Sequence, residues 1–313
     1  MYNKKMLTNF WEDLTTNEIK KINRKTVLIF PFSSIEQHGP HLPLNTDKKI
    51  LEGILLEFNK KYNSNKYLIM PEIYFGSAAE HTDFDGTISI DSLEFISHSL
   101  SILENVCKLK FKNILLLNSH GGQISHIDII AKELKSEFKI NIVKGTYFLF
   151  DQFKGIISSK EKDFGYHGGE FETSIMLYLF PNLVRQSKIS KHRLSPDYLS
   201  SKTISYEKNI KKAWSTKEKE FGYHGGDFET SIMLYLFPNL VRQSKISKHK
   251  LSPDYLSSKT ISYEKNIKKT WLTNELSKSG IIGDPTNANA VKGKKIVDKV
   301  VIFLKKIIIE MYN

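Results

Sequence analysis

Cysteine is nearly absent from this chain of 313 residues, where Cys107 stands alone. A single cysteine rules out an internal disulfide and a thiolate metal cluster, and it fits a reducing, cytoplasmic setting. Long hydrophobic runs are missing as well, with no stretch approaching the roughly 18 apolar residues of a membrane span. Met1 to Lys25 mixes charges with single apolar residues and lacks the basic start and apolar block of a signal peptide. Neither a membrane span nor a signal peptide is expected. Acidic residues are in deficit, 34 against 46 Lys plus Arg, for a formal net charge of +12. The lysines are scattered, in short pairs such as Lys211-Lys212 and Lys294-Lys295, and form no long basic block. A nucleic-acid or anionic-membrane surface needs its cations focused on one face. A solvated lysine-rich surface, with no nucleic-acid or membrane partner, is the simpler reading.

What is present is an ordinary globular composition, 40% hydrophobic and 26% charged. The apolar run Thr26 to Phe32 reads as a buried strand, as do Tyr67 to Met70, Asn113 to Leu117 and Ile140 to Phe150. Between them, Asp47 to Tyr62, Ser92 to Leu109 and Ile124 to Phe138 carry apolar residues at helical spacing. Strands alternating with helices, the strands apolar on both faces, predict an α/β fold: a mostly parallel central sheet with helices on each side, a three-layer α/β/α sandwich. Sites in such sheets form at the carboxyl ends of strands.

The second half contains an internal repeat. Residues 158 to 214 align without a gap on 215 to 271, and 52 of 57 positions are identical. The differing pairs are Ser159/Thr216, Asp163/Glu220, Glu170/Asp227, Arg193/Lys250 and Ala213/Thr270. Solenoids need at least about three units and tolerate divergence between them, so the reading is a tandem duplication inside a single domain spanning 1–313. One copy is expected to fill the native position and the other to be partly an insertion. The chain could also enter the core through the helix of the first copy and leave it through the end of the second.

Four polar clusters stand after strands. In the first, Glu36 and His38 are two apart and share a face in extended backbone, and Asp47 returns at the start of the next helix. Carboxylate, imidazole and carboxylate together suit a divalent metal. Singly, Asp47 also reads as a helix cap, and His38 and His41 as polar loop residues. The second cluster, Glu80 to Thr87, is weak alone. The third, Asn118-Ser119-His120-Gly121-Gly122-Gln123, places a histidine and two glycines at a strand tip. The fourth, His167 to Ser174, opens a helix whose early carboxylates suit its dipole and is echoed as His224 to Ser231.

Taken together, Glu36-Gln37-His38-Gly39-Pro40-His41-Leu42-Pro43-Leu44 with Asp47, Glu80-His81 with Gly86-Thr87, Asn118 with His120-Gly121-Gly122, and His167 with Gly169-Glu170 and Glu172-Thr173-Ser174 closely resemble the creatininase (creatinine amidohydrolase) family. Gly283-Asp284-Pro285 with Gly293 is similar to its C-terminal signature. The resemblance implies a hydrolase of non-peptide C–N bonds, in an amide, cyclic amide or formamide, with a small-molecule substrate and two divalent ions of zinc, manganese or iron. It also implies a homo-oligomer, usually a hexamer. Carried over, Glu36 and His120 would bind one ion, His38 the other, and Asp47 would bridge them. Creatininases proper supply a further carboxylate two residues after the histidine of the third motif, where this chain has Gly122; the Gly-Gly form is expected to use Glu170 instead. His167 matches the catalytic histidine, with Glu172 as the second catalytic candidate. The second copy offers His224, Asp227 and Glu229 as alternatives. Glu170 is preferred over Asp227 because its longer side chain reaches farther. Two other readings are a creatininase-like scaffold inactivated by the duplication, and a basic binding protein for an anionic polymer motivated by the charge alone.

Overall fold

The structure is a computed structural model that describes residues 8–150, 153, 155–158, 161, 167–190, 272–276, 279–282, 285 and 288–313. The chain divides into two units, Met1–Arg193 with Leu272–Asn313, and Leu194–Trp271. The second unit lies outside the described residues, and with it His224, Asp227 and Glu229.

The first unit is built on four parallel strands in the order β2-β1-β3-β4: β1 Val27–Phe32, β2 Tyr67–Ile69, β3 Asn113–Asn118 and β4 Asn141–Thr146. The register runs Val27↔Asn113 to Phe32↔Asn118 between β1 and β3. Helices α1 (Thr16–Lys21), α2 (Thr46–Tyr62), α3 (Ser92–Cys107), α4 (Ile124–Phe138), α5 (Glu170–Leu179) and α6 (Ala290–Tyr312) accompany the sheet.

Alternation along the strands sorts the layers. Val27, Ile29, Leu115 and Leu117 face one side, where they pack with Ile50, Leu51, Ile54 and Phe58 of α2, Ile175 and Met176 of α5, and Val297, Val300, Val301 and Leu304 of α6. Leu28, Phe30, Ile114 and Leu116 face the other side, against Phe95 and Leu103 of α3 and Ile127, Ile130 and Leu134 of α4. Helices α2, α3, α4 and α6 each bury one apolar stripe and leave polar residues on the opposite face. This is the expected α/β/α sandwich with a parallel sheet.

Two details differ from the strand reading. The run Ile140 to Phe150 is a strand only over Asn141–Thr146, after which Tyr147–Leu149 forms a turn of 3-10 helix. As the edge strand, β4 is also largely uncovered, with Asn141 and Lys144 exposed. Pro31 is tolerated in a central strand because its nitrogen faces the side where β2 has already ended at Ile69.

The strand order reverses direction between β1 and β3. That switch point is where an open α/β sheet leaves a crevice beyond its strand ends. Both the Ser33–Asp47 loop and the Asn118–Gln123 loop open there.

Candidate metal centre

From the end of β1 the chain runs through Ser34, Glu36 and His38 and returns at Asp47, in the first turn of α2. From the end of β3 it delivers His120. Glu36, His38 and Asp47 are buried, and His120 is only 3% exposed. Such a concentration of ionisable groups in a core persists only when each is paired or holds a cation.

The geometry is specific to individual atoms. Asp47 Oδ1 is 3.3 Å from His38 Nε2, and Asp47 Oδ2 is 3.4 Å from His120 Nδ1. His120 Nδ1 is also 3.0 Å from Glu36 Oε2. Ser34 Oγ lies 2.6 Å from Asp47 Oδ2 and 2.9 Å from Glu36 Oε2, so its single proton is shared between the two carboxyl groups and fixes them relative to each other. His38 Nδ1 donates to the Glu36 carbonyl at 3.1 Å, which leaves Nε2, the nitrogen that faces Asp47, to hold either a proton or a cation.

The fourth motif closes the site. Gly168 has φ +63, a conformation that favours glycine, and its turn sets His167 and the start of α5 against the β1 loop. His167 is further clamped by a two-way backbone bridge to Ile282, at 2.9 and 2.7 Å. Its ring lies 4.0 Å from that of His38. His167 Nε2 donates to the Gln37 carbonyl, so the lone pair is on Nδ1, 3.6 Å from Glu36 Oε1. Glu172 Oε1 lies 3.8 Å from His38 Nε2, while Oε2 accepts from Gly168 N–H at 2.6 Å.

Glu170 is not brought to this centre, contrary to the sequence reading. Positions 170 and 172 are about 200° apart around a helix, so α5 can turn only one of them inward. Glu172 faces the histidines. Glu170 instead pairs with Lys292 of α6 and accepts from Ser158 N–H at 3.1 Å. The longer side chain of Glu170 serves this ion pair.

Glu80 and His81 stand in the second sequence motif, which is weak alone and gave neither of them a site role. His81 is buried, with Nδ1 2.9 Å from both Gln37 Nε2 and Thr273 Oγ1. The Gln37 amide is itself oriented, Nε2 donating to the Gly280 carbonyl and Oε1 accepting from Gly39 N–H. His81 Nδ1 is therefore an acceptor, and its Nε2 proton points toward Glu36 Oε1 at 3.6 Å. A histidine so fixed is a donor, not a ligand. His41 pairs with Thr173 at 2.7 Å.

Electrostatics follow from burial and company. Burial pushes the Glu36 carboxyl up to about 7 against the pull of His120. Burial alone would hold His38 down, yet the Asp47 and Glu172 carboxylates raise it well above the ordinary imidazole range. Asp47, despite burial, is held below the carboxylate range by His38 and His120. His167 is lowered to about 4 by burial and then by His38, which keeps it neutral.

The donor set fits divalent ions. Three groups of ligand atoms lie within 4.8 Å of one another: Glu36, Asp47 and His120; His38, His167 and Glu172; and Glu36, His81 and His167. In the first two, a buried nitrogen faces carboxylate oxygens at separations suited to a cation held between them. His38 Nε2 and Glu36 Oε1 are buried without a hydrogen-bond partner, as ligands awaiting a cation would be. Among the described residues no helix is long and apolar enough to cross a membrane.

A fold of this kind, with a carboxylate and histidine centre at its switch point, defines a class of metal-site α/β proteins. The model of the family described as creatininase (creatinine amidohydrolase) matches residues 12–212 and 197–308, so the chain belongs to the creatininase family. The mycofactocin precursor peptide peptidase of Mycobacterium ulcerans (strain Agy99) is 27% identical over 175 residues, 54% of this chain and 64% of that protein. The match thus spans less than two thirds of that relative's length. The creatinine amidohydrolase of Pseudomonas putida is 26% identical over 184 residues, 53% of this chain and 69% of that one. A crystal structure of creatinine amidohydrolase shares the fold with a TM-score of 0.62 at 18% identity, covering 97% of each chain.

Proposed function

We propose that this chain is a binuclear, metal-dependent amidohydrolase that cleaves a C–N bond in a small amide, cyclic amide or formamide. The observation that carries the reading is Asp47, whose two oxygens separately face His38 Nε2 and His120 Nδ1. Glu36 and His120 would hold one ion, His38 and Glu172 the other, and Asp47 both. When bound, two ions of zinc, manganese or iron supply an activated water and polarise the substrate carbonyl.

The remaining work falls to the chain. His167, neutral and with its Nδ1 lone pair turned toward Glu36, is placed to accept a proton and return it to the leaving nitrogen. The Gln37 carbonyl holds its ring in that tautomer. His81 presents an N–H toward the same space, a donor for developing negative charge. No serine or cysteine nucleophile is needed, and Cys107 is buried among apolar residues of the far layer.

The peptidase relative makes a short peptide-like amide the second substrate class, and Gly122 in place of a creatininase carboxylate weighs against creatinine itself. We take the first repeat copy as the working one, supported by His167 and Glu172 lying against His38, and a cytoplasmic homo-oligomer as the working assembly.

Elemental analysis of the purified protein tests the reading. About two divalent ions per chain are expected, falling toward none in Asp47→Ala, with amide hydrolysis lost in step. No metal after reconstitution, or full metal and rate in Asp47→Ala, would overturn it and favour an inactivated scaffold.

A further inference from the structure

We propose that Glu80 is a positioning residue of the metal centre, accepting the Nε2 proton of His120 and so committing that histidine to bind through Nδ1. The proposal rests on the binuclear reading above.

An imidazole offers two nitrogens, and the one that binds a cation is set by what the other one meets. His120 Nδ1 faces Glu36 Oε2 at 3.0 Å and Asp47 Oδ2 at 3.4 Å. On the opposite edge of the ring, buried Nε2 makes no hydrogen bond and has Glu80 Oε1 at 3.4 Å, a separation from which a small shift of the carboxylate completes one. Glu80 sits on the single 3-10 turn Ala79–His81. That turn is anchored next door by His81, which is pinned between Gln37 and Thr273. The Glu80 side chain keeps 19% of its surface exposed, so part of the carboxylate remains hydrated while the other part reaches inward.

Gly122 is what lets it reach. A Cβ at position 122 would lie 1.8 Å from Glu80 Oε1 and 2.6 Å from His120 Nε2. Any side chain there would evict the Glu80 carboxylate, and a carboxylate on residue 122 itself would need the volume that Glu80 occupies. The two arrangements exclude each other. This chain thus brings the carboxylate beside His120 from the loop after β2, where a creatininase is expected to supply one from position 122.

The test is Zn²⁺ affinity of the full chain by competition with a chromophoric chelator, with Co²⁺ absorption spectra as a second readout. Glu80→Ala is expected to weaken one of the two ions by about 10- to 100-fold and leave the other unchanged. Gly122→Ala is expected to reproduce that loss with the carboxylate still in the chain. Glu80→Gln keeps an acceptor for the Nε2 proton and should fall between wild type and Glu80→Ala, with a Co²⁺ spectrum like that of wild type. Wild-type affinity in Glu80→Ala, or Glu80→Gln no tighter than Glu80→Ala, would overturn the proposal. Failure of wild type itself to take up either ion would instead bring down the binuclear reading, and this one with it.

Discussion

Glu170, at the start of α5, and Lys292, in the first turn of α6, form an ion pair whose carboxylate is completely buried while the lysine keeps 27% of its side-chain surface. The pair ties together two helices that pack on the same face of the sheet. In the second repeat copy the matching position is Asp227, one methylene shorter. Glu170→Asp and Lys292→Met should each destabilise the protein by about 3 kcal/mol, the low end for breaking a buried pair, because the lysine is partly hydrated. Urea unfolding measures the loss. Metal content should stay at the wild-type level; a folded Glu170→Asp protein depleted of metal would return Glu170 to the ligand set.

Ser34 makes no contact with an ion in the proposed scheme, yet one hydroxyl holds both Glu36 and Asp47. Ser34→Ala should preserve the fold and lower divalent-ion affinity about 10-fold or more, the scale of a lost partner to a ligating carboxylate. Isothermal titration with Mn²⁺ reads this directly. Unchanged affinity would mean that the backbone alone orients the two carboxylates.

Glu72, largely buried and hydrogen-bonded to Ser33, lies 3.8 Å from Lys48. Burial outweighs both partners and pushes its carboxyl from 4.5 up to about 7. A carboxyl raised in the folded state contributes stability that is fully present below about 4.5 and is lost as pH rises through about 7. Glu72→Gln retains the acceptor for Ser33 without the charge, and should be more stable than wild type at pH 8 by about 2 kcal/mol. At pH 4 the two should be equal. Denaturant midpoints at the two pH values decide it, and a variant less stable at pH 8 would show that the Lys48 pair dominates.

Gly293 lies where α6 crosses α5. A Cβ there would stand 1.8 Å from the Ser174 carbonyl oxygen and 2.4 Å from its carbon. The obstacle is backbone, which cannot swing aside as a side-chain tip can. Gly293→Ala should cost about 3 kcal/mol, the upper part of the range for overpacking, and lower the thermal midpoint. A neutral result would mean that the helices separate without loss.

Much of this was legible in the chain itself. Period-two and period-3.6 patterns are local, so the strands at Val27 and Asn113 and the helices at Thr46, Ser92 and Ile124 appear in the sequence within a residue or two of their ends. The ends of β4 were not legible, because Tyr147 and Phe148 are as apolar as the strand before them and only the turn of the backbone separates them. The members of the first and third motifs were legible because each motif is short and stands directly after a strand.

Other features depended on contacts between distant segments. Which of Glu170 and Glu172 turns inward is decided by how α5 rolls against α6, and that roll is set by Gly293 and Lys292, more than a hundred residues away. The roles of Glu80 and His81 follow from Gly122, Gln37 and Thr273, three positions on three different segments. Sequence determined the layers, the parallel sheet and the kinds of side chain available, because pattern and residue chemistry are carried locally. Only tertiary structure assigned each carboxylate and each imidazole nitrogen its partner, because those assignments depend on ångström-scale distances that no spacing along the chain encodes.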